Sequence, residues 1–93
     1  MRIRSILIAK LREKLSPVRL EVTDESARHA GHSGAHPEGE THFHITIVSE
    51  SFRGLGRVAR QRMVYEILGE ELRTHVHALS LTTLTPEEDA PGS

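Results

Sequence analysis

No cysteine and no tryptophan occur among the 93 residues. Without thiols there is no disulfide framework, no thiolate zinc site and no self-sufficient four-cysteine iron–sulfur site. Any soft metal centre would have to borrow its sulfur ligands from a partner. Aromatic residues are scarce too. Phe43, Phe52 and Tyr65 are the full set, which leaves little on which nucleic-acid bases could stack. No apolar run approaches the roughly 20 residues needed to cross a bilayer. No P-loop, dinucleotide fingerprint, nucleophile elbow or paired-carboxylate motif is present, so the sequence reads as a non-enzyme. Met1-Arg2-Ile3-Arg4 is basic but leads into an alternation of apolar and charged residues. That is a helix pattern rather than a signal-peptide core, and it points to the cytoplasm.

What is present fits one domain with one modest core. The formal net charge of −1 hides a segregation. Residues 1–20 carry six bases and one acid, residues 21–52 one base and six acids, and residues 53–73 five bases and three acids. Such a dipolar surface suits protein partners of either sign and lacks the overall basic excess of strong nucleic-acid binders.

Ile3, Ile6, Leu7, Leu11 and Leu15 recur at three- and four-residue steps and predict an amphipathic helix, ended at Ser16-Pro17 because the residue before proline disfavours the α region. Val18, Leu20 and Val22 alternate with polar residues as in a half-buried strand, and Phe43, Ile45 and Ile47 predict a second. Between them lies a Gly-, Ser-, Ala- and His-rich loop from about 25 to 40, long for so small a domain. Ser51 to Gly56 reads as a turn. A second helix starts at Arg57, with Val58, Val64, Tyr65, Leu68 and Leu72 assigned to one face and Gly69 costing about 1 kcal/mol. His77, Leu79 and Leu81 begin a third strand. Thr85-Pro86-Glu87-Glu88 has the form of a helix start. A right-handed crossover would set the third strand parallel to the second. The expected architecture is an α+β sandwich in the order αββαβ, a three-stranded mixed sheet with helices on one face, over residues 1–86, followed by a polar C-terminal tail at 87–93 that frays.

The seven histidines are clustered. His29, His32 and His36 fall in the long loop, His42 and His44 share one face of the second strand, and His75 and His77 flank Val76. Imidazole both titrates near neutral pH and binds borderline metals. His29 and His32 in a Gly-rich loop could chelate a metal ion, or simply be solvated. His36, before Pro37, reads as solvent-facing, and His42 and His44 as outward strand residues. His77 differs, because a position at the rim of a core has a restrained orientation and makes a better ligand. His75 reads as a spacer. Arg53, Arg57, Arg60 and Arg62 around Gly54 and Gly56 form a basic helix entrance that could bind phosphate or carboxylate, or balance the acidic middle segment. It lacks the four-residue G-x-x-G loop of KH domains.

Several strings, in order, resemble the BolA family. They are Leu20-Glu21-Val22 with Asp24-Glu25-Ser26, Glu40-Thr41-His42-Phe43, and Ile47-Val48-Ser49 with Phe52 and Gly54. Arg60-x-Arg62-x-Val64-Tyr65 and Val76-His77-Ala78-Leu79 follow. The resemblance runs from about residue 3 to Pro86 and implies a fold similar to class II KH domains. It also implies a monothiol glutaredoxin partner and a shared [2Fe–2S] cluster. The glutaredoxin cysteine and glutathione would hold one iron, and side chains of this chain the other. Carried over residue by residue, the ligands are His77 in the V-H-A-L motif and His29 in the loop after Asp24-Glu25-Ser26, with His32 as a substitute. Imidazole ligation of one iron should raise the reduction potential relative to all-thiolate ligation. It also requires neutral imidazole, so acid should weaken cluster binding.

One departure stands out: Gln61 replaces the histidine of the family's Arg-His-Arg. The family also includes bacterial transcriptional regulators, so a second expectation is weak, salt-sensitive DNA binding through Arg57, Arg60 and Arg62. A mononuclear metal buffer at His29 and His32 is a third. No cofactor is expected in the isolated chain, which should be a monomer or weak homodimer.

Overall fold

The computed structural model describes residues 3–25 and 41–90. Helix α1 spans Ile3–Leu15, and strands β1 and β2 span Arg19–Asp24 and His42–Val48. A single 3₁₀ turn at Glu50–Phe52 leads to α2 (Arg57–Ile67) and α3 (Gly69–Thr74). Strand β3 (Ala78–Leu84) and the one-turn α4 (Pro86–Asp89) complete the chain. The sheet runs β1-β2-β3, antiparallel between β1 and β2 and parallel between β2 and β3. This is the α+β architecture that the hydrophobic periodicities predict, with strand limits shifted by one or two residues.

The core follows from those periodicities. Leu7, Leu11 and Leu15 repeat every four residues and are all buried. They meet Phe43, Ile45 and Ile47, the inward positions of β2, together with Val22, Phe52, Val64, Leu68 and Val76. Burial of each large side chain contributes about 1.5–3 kcal/mol. Helix α1 stops as expected, but by a sharper device than proline alone. Ser16 takes a left-handed φ of 43° while its N–H still reaches Arg12 O at 3.1 Å. Ser49 then ties the helix end to the sheet, its Oγ donating to Leu15 O at 2.6 Å. Gly54 closes the following turn at φ 81°, a region that glycine enters without steric cost.

The second helix departs from its predicted phase. Val64 and Leu68 are buried, but Val58 is 62% and Tyr65 42% exposed. The inward row is instead Arg60, Val64 and Leu68, with Met63 and Ile67 beside it. The helix is also interrupted at Leu68, whose φ of −99° and ψ of 16° separate α2 from α3.

Arg60 occupies a core position because its donors are consumed. Its Nε donates to Leu55 O at 2.8 Å and its Nη1 to Thr83 O at 3.0 Å. Nη1 and Nη2 also donate to the Glu88 carboxylate at 2.7 and 3.3 Å. The guanidinium carbon lies 5.8 Å from the Phe52 ring centroid, within cation–π range. Helix α4 presents the carboxylates for this. Thr85 and Glu88 form a capping box, Thr85 N donating to Glu88 Oε1 at 2.8 Å and Glu88 N to Thr85 Oγ1 at 3.3 Å. Each acid of the turn meets an arginine from a different part of the chain: Glu87 with Arg53, Glu88 with Arg60, and Asp89 with Arg19. Residues 87–89, assigned to the polar tail from sequence, therefore stand in an ion-paired helical turn.

The Arg60 guanidinium, aided by the Thr85 backbone N–H, holds the Glu88 carboxyl well below its ordinary value, at about 2. A depressed folded-state value stabilises the fold above the unfolded group's titration near 4.5, and the contribution is lost as pH falls through about 2. Thermal scans between pH 5 and pH 2 should therefore show the native chain losing stability more steeply than Glu88→Gln. Parallel curves would contradict this assignment.

Candidate functional site

The end of the sheet at which β2 and β3 begin gathers the histidines that the structure describes. Thr41 organises it. Its carbonyl accepts from the N–H of His77 at 2.8 Å and of Ala78 at 3.2 Å. Its Oγ1 lies 2.8 Å from His42 Nδ1. His42 opposes Ala78 across the parallel pair, and the His42 and His77 rings meet edge to face, centroids 6.2 Å apart at 74°. On the other side, Glu25 N donates to His42 O at 2.7 Å, so the ends of β1, β2 and β3 converge there.

His77 is exposed and stands one residue before β3. Its restraint is backbone hydrogen bonding to Thr41 rather than the core packing expected from its alternation with Leu79 and Leu81. His75 is exposed, with Nδ1 2.7 Å from Thr74 Oγ1, in keeping with a spacer. His44 is satisfied across the strands, Nδ1 2.7 Å from Ser80 Oγ and Nε2 3.2 Å from Thr82 Oγ1. His42 is expected, from its alternation with Phe43, to be an outward strand residue. Its contact with His77 is not legible in the sequence, because the register of a parallel pair separated by two helices is not written in either strand. His29, the other predicted ligand, lies outside the described residues, as do His32 and His36.

Among the described residues, no three His, Cys, Asp or Glu side chains are grouped so as to close a metal site. Among the described residues, the donor set is imidazole alone at an accessible corner. It fits a metal group that is completed by ligands from elsewhere and does not fit an enclosed structural site.

The basic helix entrance is largely neutralised. A cleft of about 470 Å³ opens between the start of α2 and β3, lined by Gly56, Arg57, Arg60, Leu81, Thr83 and Glu88. The protein's own Glu88 carboxylate takes the Arg60 fork there. Arg53 is held by Glu50 and Glu87. Arg57 and Arg62 are exposed and form no ion pair among the described residues. Arg60 is therefore removed from the predicted phosphate-contacting set. The sequence signal for this was its spacing of four and eight residues from Val64 and Leu68, which puts it on the core row.

The fold and its corner thus define a small α+β domain that offers imidazoles at one end of its sheet, with no helix among the described residues long and apolar enough to cross a membrane. A family model described as "BolA-like protein" matches residues 11–88, and the chain belongs to the BolA family. It is 47% identical over 88 residues to the DNA-binding transcriptional regulator BolA of Escherichia coli, covering 95% of this chain and 80% of that protein. It is 48% identical over 81 residues to Protein BOLA1, chloroplastic, of Arabidopsis thaliana, covering 85% of this chain and 51% of that protein. It is 47% identical over 92 residues to SufE-like protein 1 of the same plant, covering 95% of this chain and 24% of that protein. The chain thus spans about half of one plant relative and about a quarter of the other. Among solved structures, BolA1 from Arabidopsis thaliana superposes with a TM-score of 0.87 at 43% identity, covering 97% of this chain and 98% of that one.

Proposed function

We propose that the chain is a non-enzymatic adaptor that binds a monothiol glutaredoxin and co-ligates a [2Fe–2S] cluster through His77 and His29. The observation that carries this reading is the position of His77, accessible at its side chain and fixed at its backbone by Thr41. The corner also borders both ends of the segment that contains His29: Glu25 bonds to His42 O, and Thr41 bonds to His77 and Ala78. Four residue steps separate Glu25 from His29, a covalent reach of roughly 14 Å at most. The lack of cysteine supports a shared cluster, with thiolates arriving from glutaredoxin and glutathione. Bound there, the cluster would supply a redox-active iron site, and mixed imidazole and thiolate ligation favours a higher potential than thiolates alone. Co-purification with a monothiol glutaredoxin and glutathione, read by visible circular dichroism, tests the reading. A colourless mixture in which the two proteins elute separately would refute it.

A second reading, DNA binding, is favoured by the names of two bacterial relatives, from Escherichia coli and Vibrio cholerae, both called DNA-binding transcriptional regulator BolA. With Arg53 and Arg60 engaged, Arg57 and Arg62 are the α2 cations left to meet phosphates. Two such contacts give a slope of about −2 in log affinity against log salt. Duplex titrations at two salt concentrations should show that weak dependence, and Arg57→Ala with Arg62→Ala should flatten it. No binding at low salt excludes the reading.

A further inference from the structure

We infer that the outer edge of β3 accepts an added strand from another protein, an extended peptide of alternating apolar and polar residues with an acidic side chain. The ladder fixes which backbone groups are on offer. Ala78 N donates to Thr41 O, and Leu84 O accepts from Ser49 N. Ala78, Ser80, Thr82 and Leu84 therefore turn their backbone groups toward β2. By alternation Leu79, Leu81 and Thr83 turn theirs outward. Of these outward groups only Thr83 O meets a donor among the described residues, Arg60 Nη1 at 3.0 Å.

The two edges of the sheet differ. Strand β1 carries charges at Arg19, Glu21 and Asp24, and Arg4 Nε donates to its Val22 O at 3.0 Å. Charges and covering side chains are how proteins blunt an open edge. Strand β3 has no charged residue and no proline, and none of its residues is buried. The cleft of about 470 Å³ runs beside this edge and has the size of a ligand site. Half-buried Leu55 and Leu81 give it an apolar floor for alternate side chains of the incoming strand. Its charges are Arg57 and Arg60 against Glu88 alone. Glu88 occupies the Arg60 fork, so the cleft already holds one carboxylate. Exposed Arg57 forms no ion pair among the described residues and is the complement for a second, brought by the peptide. Main-chain bonds to the edge would supply affinity, and the floor and Arg57 the specificity.

The cleft lies along the end of β3 far from His77, so this inference does not rest on the glutaredoxin reading. A probe without phosphate separates it from the DNA reading as well. The probe is a short capped peptide of alternating valine and threonine ending in glutamate, titrated into the full chain and followed by amide NMR. The N–H signals of Leu81 and Thr83 should shift. Two versions of the probe, N-methylated on alternate residues, should differ at least about tenfold in affinity, because only one loses the donors that face β3. Glutamine in place of the probe's glutamate should weaken binding about tenfold, and Arg57→Ala should bring the two peptides to equal affinity. The inference is overturned if millimolar probe shifts nothing, if the shifts fall on β1 instead, or if the two methylated probes bind alike. It is also overturned if the Leu81 and Thr83 signals move with protein concentration alone, which would assign the edge to a second copy of this chain.

Discussion

His77→Ala should leave the protein folded and make the proposed glutaredoxin-shared cluster labile. The side chain is exposed, and the backbone N–H that donates to Thr41 O is retained by alanine. Substitutions at such sites usually change stability by less than about 0.5 kcal/mol. Losing a metal ligand is a larger perturbation than losing the outer-shell partner of one, which already costs 10–100-fold in affinity. Cluster loss to a chelator should therefore accelerate at least tenfold, and the visible circular dichroism of the complex should change, while thermal unfolding of the free chain stays put. His77→Cys gives an independent check. A thiolate in place of imidazole should retain a cluster but lower its reduction potential. If His77→Ala leaves both spectrum and cluster lifetime unchanged, His77 is not a ligand.

The strands and α1 were legible because their burial is one-sided and repeats with a fixed period. Leu7, Leu11 and Leu15, or Phe43, Ile45 and Ile47, announce a face without reference to anything distant. Hydrophobicity as the only marker of an inward position misphases helix α2. It draws Val58 and Tyr65 inward and sends Arg60, on the same row as Val64 and Leu68, to solvent. A buried arginine requires acceptors, and these come from Leu55, Thr83 and Glu88, of which Thr83 and Glu88 are more than twenty residues away. Nothing local reports them. The same holds at the histidine corner. His77 was singled out by its strand-end position and family motif. Its neighbour His42 emerged only once β2 and β3 were set in parallel register, a contact across thirty-five positions of sequence.

Arg60→Ala should be among the most destabilising single changes outside the hydrophobic core. The side chain of Arg60 is only 11% exposed. Its removal takes the guanidinium partner from Leu55 O and Thr83 O and strips a cation from the face of Phe52. Each buried acceptor left unmade costs about 1–3 kcal/mol, so a loss of roughly 3 kcal/mol is expected after partial rehydration of the cleft. For a domain of this size, with a urea slope of about 1–1.5 kcal/mol per molar, the midpoint should fall by about 2–3 M. Arg60→Lys should recover only part of this, because an ammonium cannot span two carbonyls and a carboxylate as the planar fork does. Glu88→Gln should cost less than Arg60→Ala, since the Glu88 side chain is 46% exposed and water can replace it. In Arg60→Ala the acid sensitivity assigned to Glu88 should also diminish, because its first cause is gone. An Arg60→Ala midpoint within 0.5 M of the native one would mean that Arg60 behaves as a surface arginine. Arg60 would then rejoin Arg57 and Arg62 among the α2 cations open to phosphate.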